Sequence, residues 1–312
     1  MLQLMYIQIM RLFKLNIFIL ISILFLASCG KSYDEQKKFS IEERKRIHKE
    51  DSLALKIAVM PTLDCMPIYI LKEKQLYDSL KLDIRPRFFN AQMDCDTAII
   101  HGRVEGLVSD LVRTENLRKR GIKLDYLSST NAYWQLFTNR TARLKHLNQL
   151  GDKKIAMTRY SVTDYLTDRS MDTVKTKAML YKVQINNVFI RLNMLLNNEI
   201  DALWLTEPQA TVARIHNNGI LRDSRDFKVK FGVLAFRSDL NRDKRRKAQL
   251  KEFVKAYNQA CDSLNIRGLS HYSSILNKYL KIDAGIIKAL PKLKYQHISA
   301  PKSSDIKKAN NY

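Results

Sequence analysis

The chain has 312 residues, 46% hydrophobic and 27% charged, with a formal net charge of +23. That mixture supports a packed core and excludes a disordered or collagen-like protein, and 9 Gly and 6 Pro leave little room for a loop-rich or repeat architecture. The basic residues are spread along the whole sequence rather than gathered in one stripe, so nucleic acid is not an expected partner; attraction to anionic head groups is the simpler use of the charge.

Arg11 and Lys14 precede an apolar run at 17–26, and Leu26-Ala27-Ser28-Cys29-Gly30 follows. A cationic start, a short apolar run and small residues before a cut mark a secretory signal. The run is short for a membrane-spanning helix. The last five residues also resemble the bacterial lipobox. The resemblance implies that Cys29 carries lipid (palmitate among its acyl chains) and becomes the mature N-terminus. Met10 is an alternative start to Met1. Residues 1–28 are therefore expected to be a lipoprotein signal peptide and 29–52 a polar tether, partly helical near 41–49. The soluble body is expected outside the cytoplasm, in the periplasm, anchored to a bacterial membrane of the cell envelope.

The apolar run LKIAVM at 55–60 predicts the first strand, closed by Pro61. A loop at 62–67 leads into a helix at 68–75, with Pro67 where a first-turn proline is tolerated. LDIRPRFF at 82–89 alternates apolar and polar; its Pro86 points to a sheet edge. A loop at 90–96 precedes a helix beginning at 97. Strands follow at 106–111 and 122–128. A second series opens with KIAMT at 154–158, then a polar turn and a helix at 164–170. A small strand is expected at 183–185. The helix at 188–197 puts Val188, Ile190, Leu192, Leu195 and Leu196 on its buried side. Next come a strand at 202–205, a helix from Pro208 to His216, a strand at 231–236 and helices at 243–264 and 272–280. On the long helix Leu250, Phe253, Val254 and Tyr257 share one face. Residues 299–312 read as a polar tail. Strands alternating with helices mean an α/β fold with mainly parallel sheets. The rhythm restarts near Lys154, which predicts two lobes, and ligands of such sheets bind beyond the carboxyl ends of the strands.

Four stretches carry a resemblance: LKIAVMPTLDCMPIYILKEKQLYD, GRVEGLVSDL, KKIAMTRYSVTDYL and, most telling, LLNNEIDALWLTEPQATVA. Together they resemble the solute-binding proteins of ABC importers of the nitrate, taurine and thiamine-precursor type. The resemblance covers about 53–280. It implies the type II periplasmic-binding fold, with two lobes joined by crossing segments near 134–139 and 230–236. Lobe one would be 53–136 plus 231–298, and lobe two 137–230. It also implies hinge closure on a small molecule, a permease and an ATPase as partners, a monomer, no cofactor and no chemistry. The sequence has no Gly-x-Ser-x-Gly elbow, phosphate-binding Gly loop or His-Glu-x-x-His.

By family position the loop with Asp64 and Cys65 faces the cleft; Asp64 either meets a ligand or caps a helix. Gln92, Met93 and Asp94 form the matching loop after the second strand. Cys65 and Cys95, in neighbouring loops, are either bridged or free. Cys, Met and Asp together match no compact metal-ligand spacing, so no metal is expected. Asp110 either reaches the ligand or caps a turn. Asn131, Tyr133 and Trp134 leave lobe one, as ligand-stacking groups or hinge packing. Ser161 and Thr163 start a helix, where N–H groups and hydroxyls suit an anion or merely cap. Arg159 would favour a sulfonate, carboxylate or phosphate if it points inward. Glu207 closes the strand of "DALWLTEPQ": it suits a cationic or amidine-like ring, such as a thiamine-type pyrimidine precursor, or pairs with an arginine. A sulfonate or other anion is the alternative ligand. Outside transport, a structural surface lipoprotein and a pyrimidine-precursor-synthase-like enzyme share the expected fold.

Overall fold

The computed structural model describes residues 33–312 except 80. Cys29 and the signal segment lie outside the described residues. The chain divides after Leu53 into two units. In the first, helix α1 (Tyr33–Leu53) covers more than the short helical stretch expected of a tether. It is built on charge pairing: Arg46 bonds Glu43 and Glu50, three and four residues away.

The second unit, from Ala54 onward, holds two five-stranded sheets. The first is ordered β2-β1-β3-β10-β4, from β1 (Leu55–Val59), β2 (Ile84–Phe88), β3 (Gly106–Asp110), β4 (Leu124–Ser129) and β10 (Gly232–Arg237). The second is ordered β7-β6-β8-β5-β9, from β5 (Gln135–Thr138), β6 (Lys154–Met157), β7 (Tyr181–Gln184), β8 (Ala202–Leu205) and β9 (Gly219–Asp223). In each sheet one strand is reversed: β10 is antiparallel to both its neighbours, and so is β5. The other pairings are parallel. The mainly parallel α/β reading therefore holds. The reversed strands are those by which the chain enters the second sheet after β4 and returns to the first after β9.

Both faces of each sheet are covered, which is why the central strands read as unbroken apolar runs. Alternate residues of β1 enter different cores: Leu55, Ile57 and Val59 join one cluster, Ala58 another. The second sheet repeats this, with Leu136 and Trp204 on one side and Phe137, Leu203 and Leu205 on the other. Helices α2 (Met66–Glu73) and α8 (Lys244–Arg267) pack on the first sheet, and β2 is an edge strand, as Pro86 suggested.

Several elements differ from the sequence reading. Gln92, Met93 and Asp94 form the first turn of α3 (Gln92–Ile100) instead of a loop. The strands β5 and β9 are short, β5 buried throughout and β9 at the surface, and the reading gave neither. Helix α7 (Gln209–Ile215) starts one residue after Pro208, which caps it. Residues 299–312, expected to be a tail, include helix α11 (Ser303–Asn310), where Asp305 and Ala309 are buried. This helix packs on α4 (Leu111–Lys119), and Tyr312 Oη donates to Asp168 Oδ2 at 2.6 Å.

Candidate functional site: a cavity between the sheets

A cavity of about 40 Å³ lies where loops after the first-sheet strands meet the second sheet. On that measure a water occupies roughly 10–15 Å³, so there is room for about three waters. Met60, Thr62, Asp64, Gln92, Val108 and Ser109 line it from one side. Val188, Arg191, Trp204, Leu205, Thr206 and Gln209 line it from the other, with Ala132 and Trp134 from the crossing segment. Direct bonds tie the two sides together. Leu63 N donates to Glu207 O (2.9 Å), Val188 N to Asn90 O (3.0 Å) and Gln209 Nε2 to Pro61 O (2.9 Å).

Arg191 dominates the electrostatics, and the sequence reading passed over it. It sits on α6 (Val188–Leu196), where Val188, Arg191, Leu192 and Leu195 are the buried positions. These are i, i+3, i+4 and i+7, the core stripe of a helix. Ile190, expected inside, lies off that stripe and is 51% exposed. Spacing from Val188 was the signal that could have found Arg191. Only 5% of the residue is exposed, and Nε and Nη1 have no hydrogen-bond partner. Burial alone pushes its pKa down to about 10. Leaving a guanidinium without acceptors in a low-dielectric interior costs several kcal/mol.

Three of the four acidic candidates are buried, and they diverge. Asp64 lines the cavity and is buried; its oxygens accept the hydroxyls of Thr62 (2.6 Å) and Thr130 (3.0 Å). Burial raises its pKa. Asp110 is fully buried and caps α4: Oδ1 accepts from Arg113 N (2.9 Å) and from Val162 N of the opposite side (3.1 Å), and Oδ2 from Gln92 Nε2 (2.9 Å). Burial pushes its pKa up to about 6, against the pull of these bonds. Glu207 does not line the cavity. Its Oε1 accepts from Tyr133 Oη (2.6 Å) and Arg214 Nη2 (2.5 Å), its Oε2 from the N (3.0 Å) and Oγ1 (2.6 Å) of Thr211. The arginine is its partner, and no ligand contact is left to it.

The remaining candidates scatter. Gln92 and Trp134 reach the cavity. Met93 and Asp94 are exposed on α3, Met93 Sδ accepting from Gln184 Nε2 at 3.2 Å. Asn131 and Tyr133 line a different cavity, and the Arg225 guanidinium covers the Tyr133 ring at 4.2 Å. Arg159 is exposed and offers only its carbonyl, to Arg113; its side chain is not an inward anion partner. Ser161 Oγ donates to Thr158 O (2.7 Å) and accepts from Thr163 N (3.1 Å), capping α5 (Val162–Met171). Thr163 Oγ1 accepts from Thr158 N (2.9 Å). Both hydroxyls are occupied with their own turn.

Cys65 and Cys95 are free, which corrects the bridged alternative. The two thiols belong to different cores, Cys65 with Leu55, Ile57 and Val59, Cys95 with Ala58. Strand alternation places those cores on opposite faces of the first sheet. Burial pushes both thiols up, away from the reactive thiolate. Among the described residues no group of three or more His, Cys, Asp or Glu is placed to hold a metal.

No protein-family model and no curated protein matches the sequence. Solved structures do. The chain is similar to the zinc-bound ligand-binding component of an ABC-type import system from Staphylococcus aureus, with TM-score 0.70, 16% identity, and 83% of this chain and 90% of that one covered. It is similar to the alkanesulfonate-binding protein SsuA from Xanthomonas axonopodis pv. citri bound to MOPS, with TM-score 0.67, 15% identity and 82% and 89% covered. It is also similar to the periplasmic nitrate-binding protein NrtA from Synechocystis, with TM-score 0.63, 12% identity and 75% and 68% covered. The chain has the periplasmic-binding-protein fold of these import components.

Proposed function

We propose that the protein is an extracytoplasmic solute-binding protein that delivers a small anion to an ABC permease and its ATPase. The carrying observation is Arg191, a buried guanidinium in the cavity wall whose Nε and Nη1 lack acceptors. A carboxylate, sulfonate or similar oxyanion supplies paired acceptors in the geometry a guanidinium fork matches. The fold shared with sulfonate- and nitrate-binding import components supports the same class. In this reading residues 53–136 plus 231–298 and residues 137–230 move as two lobes about the crossings before β5 and β10, the protein acts as a monomer, and it performs no chemistry. The segment Leu26–Gly30 directs lipidation of Cys29 and holds the body at the membrane outside the cytoplasm.

A thiamine-type pyrimidine is the second reading. Trp134 and Trp204 in the cavity wall, with Asp64 beside them, favour it; Glu207, bonded to Arg214, does not.

The test is native mass spectrometry of the purified protein for a carried solute, followed by thermal shift against sulfonates, carboxylates, nitrate and aminopyrimidines. Oxyanions should raise the melting temperature in the wild type and not in Arg191→Gln. A shift with pyrimidines alone, retained in Arg191→Gln, would replace the anion reading with the second. Palmitate labelling lost in Cys29→Ser is the expected result for the anchor, and labelling retained in that variant would remove it.

A further inference from the structure

A second cavity, of about 250 Å³ against about 40 Å³ between the sheets, lies on the other side of the first crossing segment. Ala132 borders both, so the chain between β4 and β5 is the partition. The returning chain between β9 and β10 forms a second wall, and α8 with residues 293–296 a third. The two crossings run tightly together: Thr130 N donates to Gly232 O at 2.8 Å, and a Cβ at Gly232 would collide with Thr130 and Ala132. The lining has two chemical characters. Tyr133, Tyr257 and Tyr295 are buried in it, with Leu293 half-buried. Tyr133 Oη is spent on Glu207 and Tyr295 Oη on Leu63 O (3.0 Å), so these two offer ring surface rather than donors. The charged lining residues are Arg225, Lys230 and Lys294, and no acid is among them. Asp223 holds Arg225 over the Tyr133 ring. Among the described residues no carboxylate pairs with the side chain of Lys230 or Lys294. Cations gathered on one cavity with no acid to oppose them favour an anion; aromatic rings in the same wall favour a flat apolar body.

We propose that this cavity is a second binding site and that it takes a small aromatic acid, one flat ring bearing a carboxylate or sulfonate. The ring packs on the tyrosine and Leu293 surface, and the oxyanion lies by Lys230 and Lys294. A bare inorganic anion leaves the ring surface unused, and a neutral ring leaves the cations unused; only the combination draws on both. The site is separate from Arg191, which lines only the cavity between the sheets, and it stands independently of the solute reading above. An occupant touches both crossings at once and so favours the arrangement in which they are packed together.

The experiment is calorimetric titration of the purified protein with benzoate and benzenesulfonate, and with benzamide, benzylamine and acetate as controls. At least one aromatic acid should bind with a Kd of about 1 mM or tighter. Benzamide and benzylamine should bind about tenfold or more weakly. In the Lys230→Gln/Lys294→Gln double variant the aromatic acid should lose about tenfold in affinity, whereas Arg191→Gln should leave its binding as in the wild type. Acetate binding should not depend on the two lysines. No saturable binding of either acid overturns the proposal, as does an affinity unchanged in the double variant. Equal binding of benzamide, or an equal loss for acetate in the double variant, also overturns it, since the site would then not read ring and charge together. Loss in Arg191→Gln with the double variant unaffected puts the acid between the sheets, which overturns the second site and leaves the anion reading standing. Lys230 and Lys294 are exposed, so the double variant keeps its core, and it decides the matter even if Arg191→Gln does not fold.

Discussion

Glu207 and Arg191 are both charged groups buried beside the same sheet, 2% and 5% exposed, yet their surroundings are opposite. The Glu207 carboxylate accepts four hydrogen bonds from Tyr133, Arg214 and Thr211. The Arg191 guanidinium has two orphaned nitrogens and no carboxylate paired with it. A buried charge that the protein satisfies itself is architecture; one it leaves unsatisfied is tolerated because something else completes it. Position at the end of a strand made Glu207 look like the ligand group, while Arg191 was not among the residues expected on the buried side of its helix. The hydrogen-bond count reverses both.

The comparison predicts opposite signs for stability and affinity. Arg191→Met should weaken solute binding by about 100-fold or more. It should also raise the stability of the solute-free protein by about 1–3 kcal/mol, since an uncompensated buried charge is removed. Calorimetry and urea unfolding check the two halves; a destabilised protein with unchanged affinity would break the contrast. Glu207→Gln should do the reverse. It leaves the Arg214 charge without its partner and should cost about 2–3 kcal/mol, below the usual cost for a fully buried pair because the Arg214 side chain is 30% exposed. Affinity of the folded fraction should stay within a few-fold.

Asp110 tests a satisfied carboxylate that still suffers from burial. Its pKa is raised to about 6, above the roughly 3.9 of an unfolded chain, so the fold favours the protonated acid. The stability this contributes is complete well below pH 4 and disappears as pH rises through 6, a change of about 3 kcal/mol in all. Urea unfolding of wild type minus Asp110→Asn between pH 4 and 7 should show that decline; a flat difference would remove the assignment. The smallest effect belongs to Ser161, whose hydroxyl is spent on its own helix start. Ser161→Ala should cost about 1 kcal/mol and leave solute affinity unchanged by calorimetry. A large affinity loss would return Ser161 to the site.

Much of the framework was legible. Unbroken apolar runs such as those of β1 and β8, with helices between them, gave the α/β class because strands covered on both faces cannot alternate. Pro86 located the edge strand β2 through its missing N–H. The short strands β5 and β9 were not legible, since four residues buried throughout or five on the surface give no period to detect. Of the site candidates, Asp64, Gln92 and Trp134 lie in the cavity wall. Arg159, Ser161, Thr163 and Glu207 were not, because a loop's position in the chain does not say which way its side chains turn.

The sequence by itself determined the class of fold and the loops from which a cavity would be built, because hydrophobic periodicity and proline chemistry act locally. Which charges are satisfied was decided only in the tertiary structure. Glu207 found Tyr133, 74 residues away in sequence. Arg191 found no acceptor at all, because the helix stripe that buries it faces a cavity lined by neutral groups and one distant-sequence carboxylate, Asp64. Satisfaction of a charge depends on the atoms brought within about 3 Å of it, and those come from segments that only folding assembles.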